Sequence, residues 1–175
     1  MVPNELATLP NLTFLRVKGI DFSGNFKNVV SKLCWLSWEV THNEFYAENF
    51  HFAGLVVLDL SRSNIKDDWG GWSQFQMTKK LKVLDLSCCA CLTRTPDFSN
   101  FLSLEILRLD WCIRLTTISI GKLEHLKTLS TKGCRNLGAL PPEVASLPSL
   151  TQIARYAPYL ERVQMDASLI GLKEV

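Results

Sequence analysis

The sequence lacks several features on which whole classes of function depend. No apolar run approaches the roughly 18 residues of a membrane span, and the first residues have neither the basic start nor the apolar stretch of a signal peptide. An excess of one charge is also missing, because 19 basic residues stand against 17 acidic ones. A nucleic-acid-binding surface is normally far more basic. We therefore expect a soluble chain of the cytoplasm or nucleus that binds neither membranes nor nucleic acids.

Catalytic and metal-binding patterns are missing as well. The three histidines are scattered, and no serine, histidine and carboxylate set has a spacing that predicts a triad. Three of the six cysteines cluster in Cys88-Cys89-Ala-Cys91, but the spacings match neither a disulfide framework nor the paired ligands of zinc. The sequence predicts reduced, mostly buried thiols and a chain without metal, cofactor, small-molecule substrate or enzymatic activity.

A repeated leucine pattern is what the sequence does contain. Leu-x-x-Leu-x-Leu begins at Leu55, Leu81 and Leu104. Weaker copies place further units near residues 12, 33 and 126, and a degraded unit runs from 150 to the C-terminus. Most of these starting points are separated by the roughly 20 to 29 residues that are typical of leucine-rich repeats. We expect residues 1–175 to form a single leucine-rich-repeat domain.

Strand geometry explains why leucine recurs at these positions. Alternate side chains of an extended segment face the same way, so the fourth and sixth residues of each unit point inward and their neighbours point outward. Stacked units then pool their leucines into one core. The sequence predicts a curved α/β solenoid with a parallel β-sheet on its concave face and irregular or short helical convex arms. The ninth position, expected to face inward and meet backbone groups, holds Ser63, Cys89, Cys112 and Cys134.

Two places depart from the repeat. The unit from Leu55 to Leu81 is the longest and contains Asp67-Asp-Trp-Gly-Gly-Trp72, which predicts a bulged loop on the convex side. In the last unit, Arg155 occupies a position where a core leucine belongs. We therefore expect the regular stack to end near this point.

Residues 55–99 carry a resemblance to one family of repeats. The matching segments are Leu55-Val-Val-Leu-Asp-Leu-Ser-Arg-Ser-Asn-Ile65, Trp69-Gly-Gly-Trp72, Leu81-Lys-Val-Leu-Asp-Leu-Ser-Cys-Cys89 and Leu92-Thr-Arg-Thr-Pro-Asp-Phe-Ser99. They are similar to the leucine-rich-repeat region of plant disease resistance receptors of the TIR, nucleotide-binding and leucine-rich-repeat type. In that family the repeats serve ligand recognition and autoinhibition. The resemblance implies a non-catalytic protein-interaction module of plant innate immunity, and a truncated or partial receptor.

The concave face is where a solenoid usually binds its partner. Exposed aromatic and arginine side chains on a sheet suit a protein contact, such as a pathogen effector, a host protein or the receptor's own domains. The candidate partner-binding residues are Trp111, Arg108, Asp110, Arg62, Asp59, Asp85, Ile106, Val83 and Lys132.

Other interpretations of this face stay open. The β-branched side chains could pack only against their lateral neighbours. Phe14 and Trp35 could equally be covered by a preceding domain. The whole repeat could be structural or autoinhibitory, or a general scaffold with no ligand of its own.

Overall fold

One parallel β-sheet organises the chain. The computed structural model describes residues 1–50, 52–120, 123–155 and the backbone of 173–174. Within these ranges the sheet has eight strands, and their order across the sheet is their order along the chain. They are β1 (Phe14–Lys18), β3 (Trp35–Glu39), β5 (Val57–Asp59), β6 (Val83–Asp85), β7 (Ile106–Arg108), β8 (Thr128–Ser130), β9 (Gln152–Ala154) and β10 (Lys173–Glu174). Strands β2 (Ser23–Asn25) and β4 (Tyr46–Glu48) belong to a separate sheet. The predicted fold class, a leucine-rich-repeat solenoid with a parallel sheet, is confirmed.

The convex arms are short and varied. The first two arms pair through β2 (Ser23–Asn25) and β4 (Tyr46–Glu48), which form a second parallel sheet. The described helices are α1 (Pro3–Ala7), α2 (Gly71–Phe75) and a 3-10 helix (Pro142–Ser146). Because the arms differ from coil to coil, the regular portion of the fold is the sheet and the core directly behind it.

The register of the sheet puts equivalent leucines side by side. The second residue of each strand pairs with the second residue of the next. From β3 to β9 this column consists of Leu36, Leu58, Leu84, Leu107, Leu129 and Ile153. All of these side chains are buried. The column therefore forms a continuous apolar ladder that joins every coil to its neighbours.

The loop that contains Trp69 and Trp72 folds inward, although the sequence suggested a bulge. Residues 71–75 form α2, and Trp69 and Trp72 are both buried, at 1% and 6% exposure. The Trp69 ring lies 5.7 Å from Trp38 and 5.6 Å from Phe45, between ring centroids. A Cβ atom on Gly71 would lie 2.4 Å from the Trp69 ring, so the close turn requires glycine. The extra residues of this coil thus enlarge an aromatic core.

The ninth position behaves as the sequence suggested. The Sγ atoms of Cys89, Cys112 and Cys134 donate to carbonyl oxygens in the preceding coil, each on the residue directly after the strand, at 3.3, 3.1 and 2.9 Å. Burial raises the pKa of Cys89 to about 12, and the neighbouring Cys134 thiol together with burial raises the pKa of Cys112. Ser63 has the same role in the preceding coil, since its Oγ donates to the Trp38 carbonyl. These side chains satisfy backbone groups inside the stack.

Asp67 connects its coil to the next. Its carboxylate accepts hydrogen bonds from the Thr93 amide (2.9 Å), the Thr93 hydroxyl (2.6 Å) and the Arg94 amide (3.0 Å). The Arg94 Nε atom lies 3.4 Å from Oδ2. Burial opposes ionisation, but the hydrogen bonds from Thr93 and Arg94 outweigh it, so the pKa of Asp67 is lowered. The charged form of Asp67 is therefore the form that the fold stabilises.

The last described coil is less regular. Arg155 stands in the position of a core leucine, and its guanidinium donates to the carbonyl oxygen of Gly138. The degraded unit beyond residue 155 lies outside the described residues, apart from the backbone of 173–174.

Leu107→Ala is expected to lower the free energy of unfolding by about 3 kcal/mol, because it opens a cavity in a fully packed ladder. Leu102→Ala is the matched control, since Leu102 is 61% exposed and Leu107 is 0% exposed. The control should change stability by less than about 0.5 kcal/mol. Urea unfolding followed by circular dichroism measures both. Equal losses in the two variants would contradict the ladder as the main source of stability.

Asp67→Asn is expected to cost about 1 to 2 kcal/mol near neutral pH, because an amide cannot replace the charge that the Thr93 and Arg94 donors meet. A lowered folded pKa means that this stabilisation is present above the ordinary pKa of 3.8 and is lost as pH falls through the folded value. The difference in Tm between wild type and variant should therefore shrink at acidic pH. Asp68→Asn is the control, because Asp68 accepts a single bond from Asn43. A pH-independent difference would contradict the assignment.

Candidate functional site: the concave face

Each central strand of the sheet is followed, three residues after its last residue, by a left-handed turn residue. This conformation occurs at Arg62 (φ 64°), Cys88 (φ 62°), Trp111 (φ 60°) and Gly133 (φ 73°), all at the eighth position of their units. The turn lets the backbone ladder continue, because the amides of Arg62, Cys88 and Trp111 donate to the next coil at 2.8, 2.7 and 2.6 Å. The side chains of Arg62, Cys88 and Trp111 are exposed. The turns therefore present a row of side chains at the rim of the sheet.

Trp111 is the largest exposed side chain among the candidate residues. It is 50% exposed, and its indole lies against the backbone of Gly133 in the next coil. A Cβ atom at Gly133 would come within 2.6 Å of the indole Cδ2 and Cε3 atoms. Glycine at 133 is therefore required both by its positive φ and by the seat that it gives the indole. This contact holds Trp111 in one place while leaving its other face open.

Asp110 and Lys132 belong to the structure around Trp111. The Asp110 carboxylate accepts hydrogen bonds from the Ser130 hydroxyl and, at 2.8 Å, from the Lys132 amide. Ser130 belongs to an outward-facing column of the sheet, yet it is 7% exposed because Asp110 and the next coil cover it. The Asp110 carboxylate thus fixes the turn that carries Trp111.

Arg108 and Asp85 lie opposite each other on neighbouring strands. Arg108 Nη1 is 3.6 Å from Asp85 Oδ2, and the two side chains are 47% and 20% exposed. Asp85 also accepts from the Ser87 amide at 2.9 Å. Such a partly exposed ion pair contributes little to stability but orients the guanidinium along the face. Among the described residues Arg108 makes no side-chain hydrogen bond, so its guanidinium donors face solvent.

Asp59 is held in the same way one strand earlier. Its carboxylate accepts from the Ser61 amide and from the Ser37 hydroxyl, both at 2.9 Å. Asp59 and Asp85 are direct neighbours in the sheet register. Their like charges repel each other, and the hydrogen bonds from Ser37 and Ser61 to Asp59 offset part of that repulsion. The two aspartates are half-buried and shape the floor of the face.

Val83 and Ile106 belong to the apolar column along the face. They pair with each other in the register, and Val83 pairs with Val57 on its other side. All three side chains are half-buried, which agrees with lateral packing. The column becomes more exposed toward the first coils, where Phe14 and Trp35 are 48% and 45% exposed.

The structure contains a ladder of charged side chains at the second position of the units. None of its members is among the candidate residues chosen from the sequence. Glu105 lies between Lys82 and Lys127, with Nζ to Oε distances of 2.7 Å on both sides. Hydrogen bonds from Lys127 and Lys82 hold the pKa of Glu105 at about 2. The signal is present in the sequence, because lysine, glutamate and lysine occupy the same position of three successive units.

Metal-binding clusters and membrane-spanning helices are both lacking in the described residues. Within residues 1–50, 52–120 and 123–155, no group of three His, Cys, Asp or Glu side chains is placed to hold a metal ion. Over the same stretch of chain that the structure describes, no helix has the length and apolar character needed to cross a membrane.

Gly133→Ala is expected to lower the free energy of unfolding by about 1 to 2 kcal/mol, because alanine is strained at a φ of 73° and its Cβ strikes the Trp111 ring. Gly138→Ala is the control, since a Cβ there meets no atom within 4 Å. Thermal melts measure stability, and the indole signal of Trp111 in NMR spectra should move in the first variant alone. An unmoved signal in Gly133→Ala would contradict the proposed seat.

Comparison with known proteins identifies relatives of this sequence. The chain is 34% identical over 137 residues to disease resistance protein RML1B of Arabidopsis thaliana, a match that covers 73% of this chain and 13% of the relative. It is 35% identical over 102 residues to disease resistance protein RPV1 of Vitis rotundifolia, covering 57% of this chain and 7% of the relative. No family model matches. The chain thus spans only a small fraction of the length of these relatives.

A solved structure supports the fold independently. The leucine-rich repeat domain of the type III effector XopL superposes with a TM-score of 0.69 and 23% sequence identity, covering 89% of this chain and 56% of that one. At this identity the likeness concerns the fold alone. The sequence matches confirm the resemblance to the leucine-rich-repeat region of plant disease resistance receptors. The chain is a leucine-rich-repeat solenoid and belongs to the family of plant disease resistance proteins of the TIR, nucleotide-binding and leucine-rich-repeat class, matching their leucine-rich-repeat region.

Proposed function

We propose that this chain is a non-catalytic protein-binding module of plant innate immunity, acting in the cytoplasm or nucleus as the recognition region of a disease resistance receptor. The partner is a pathogen or host protein, or a domain of the receptor itself. Support comes from the relatives, which are disease resistance proteins. Since this chain matches 13% of RML1B, recognition is proposed here as a contribution to the work of a larger protein.

The exposure and the fixed position of Trp111 are our reason for placing the binding site on the concave face. Trp111 is half-exposed, yet it is seated on Gly133 and adjoins a turn fixed by Asp110. A large aromatic side chain that is already ordered loses little conformational freedom on binding, which is why tryptophan and arginine are common interface anchors. Arg108 lies on the strand that leads to this turn. We place the centre of the binding face at these two residues, with Arg62, Asp59, Asp85, Val83, Ile106, Asp110 and Lys132 around it.

A second candidate function is structural or autoinhibitory packing without an independent ligand. It is favoured by the internal pairing of the face, where Arg108 meets Asp85 and Glu105 meets both Lys82 and Lys127. A face whose charges are already paired offers fewer new bonds to a separate partner. The two functions differ in whether the isolated chain binds a separate protein.

Trp111→Ala and Arg108→Glu are expected to weaken binding to a plant or pathogen partner by about tenfold or more, because an anchor is removed or its charge is reversed. Yeast two-hybrid screening and pull-down with the 175-residue chain identify partners, and titration gives the affinities. Leu102→Ala and Arg114→Glu are controls, because both are exposed outside the sheet. If every partner binds all four variants equally, the concave-face assignment is wrong.

A further inference from the structure

The first coils of the concave face contain a cavity that lies away from Trp111. It has a volume of about 200 Å³ and opens over β1, β3 and the turn that follows β5. Its charged lining consists of Arg16, Lys18, Glu39, Asp59 and Arg62. The cavity therefore contains three cations and two carboxylates.

The charges in this cavity are unevenly paired. Lys18 Nζ is 3.0 Å from Glu39 Oε1, and the Asp59 carboxylate accepts hydrogen bonds from Ser37 and Ser61. Within the residues that the structure describes, neither Arg16 nor Arg62 makes a side-chain hydrogen bond or an ion pair. Both side chains are exposed. Two guanidinium groups thus border the cavity with their donors unused.

An exposed aromatic pair adjoins the cavity. Phe14 and Trp35 precede Arg16 and Ser37 by two residues on β1 and β3, so they lie on the same face of the sheet. Their rings meet edge to face with centroids 5.5 Å apart. Two residues along a strand span about 7 Å. A cavity bordered by two guanidinium groups and an apolar surface therefore lie side by side at that distance.

We propose that this region of the face binds an extended acidic segment of a partner protein. One carboxylate of the segment binds Arg16, with Arg62 at the other side of the cavity, and an apolar side chain two residues away covers the Phe14–Trp35 pair. The spacing matches because residues i and i+2 of an extended peptide face the same way and lie about 7 Å apart. This inference rests on the proposed function, since it takes the partner to be a protein.

The lining favours a carboxylate over a phosphate. A guanidinium binds either anion through paired hydrogen bonds. Three cations and two carboxylates give the lining a net charge of +1, which one carboxylate of charge −1 neutralises and which a phosphate group of charge near −2 would exceed. The aromatic pair adds an apolar contact that a nucleic-acid backbone does not supply. A short peptide with one acidic and one apolar side chain can contact both the charged cavity and the aromatic pair.

The direct test is an NMR titration of the ¹⁵N-labelled 175-residue chain with two capped peptides. The peptides Gly-Ser-Asp-Ser-Phe-Ser-Gly and Gly-Ser-Phe-Ser-Asp-Ser-Gly cover both chain directions. Binding by at least one should shift the Trp35 indole N–H and the Arg16 and Arg62 Nε–H signals. Replacing its Asp by Asn should weaken affinity about tenfold. Equal affinity of the Asp and Asn forms, no binding by either peptide, or tighter binding of a phosphoserine form would overturn the proposal.

Substitutions separate this site from general charge attraction. Arg16→Gln and Arg62→Gln are each expected to lower the affinity for the Asp-containing peptide about tenfold. Arg114→Gln and Arg135→Gln make the same change of charge at exposed positions outside the sheet and should leave affinity unchanged. Equal loss in all four variants would overturn the site. If the peptides fail while Trp111→Ala still weakens a protein partner, the acidic-segment site is wrong and the proposed function stands. If the peptides bind as described and Trp111→Ala leaves the affinity for the protein partner unchanged, the placement of the binding centre at Trp111 and Arg108 is wrong.

Discussion

The fold depends on the buried leucine ladder, because it fixes the register in which the coils stack. From Leu36 to Ile153 the second residue of each strand lies beside the second residue of the next. A slip of one residue would turn the buried side chains outward and the charged ones inward. With the register fixed, neighbouring strands repeat about every 4.8 Å. The backbone distances between residues in register on neighbouring strands, such as Arg16, Ser37 and Asp59, follow from this spacing.

The same register determines which charges neutralise one another. Asp85 pairs with Asp59 on one side and with Arg108 on the other, so its strand contributes both a repulsion and an attraction. Donors from Ser37, Ser61 and Ser87 offset the repulsion. In the middle coils the polar groups of the face are therefore largely used within the chain. Within the described residues, the groups that this pairing leaves available include the guanidinium groups of Arg16 and Arg62, the remaining donors of Arg108 and the exposed aromatic side chains.

The sequence predicts those features of the structure that repeat. The leucine ladder and the ninth-position thiols recur once per coil, so their inward direction follows from the period alone. Contacts between coils are different, because convex arms of unequal length pack through particular side chains. The inward turn of Trp69 and Trp72, the bonds of Asp67 to Thr93 and the seat of Trp111 on Gly133 are of this kind. Trp111 and Gly133 share the eighth position of successive units, but the period does not say that the indole of one coil rests on the backbone of the next. Trp69 and Trp38 share no repeat position, and only the three-dimensional stack brings them together.

The left-handed turns show where the chain accepts strain. Gly19 and Gly133 occupy this conformation without penalty, whereas Arg62, Cys88 and Trp111 adopt it with full side chains, at about 1 to 2 kcal/mol each. Glycine would relieve that strain and keep the backbone hydrogen bonds of the turn. Core packing gives no reason to retain these side chains, because all three are exposed. Exposed side chains held at a strained turn are therefore more consistent with an interaction outside the chain than with stability, and Arg62 and Trp111 lie at the two proposed contacts.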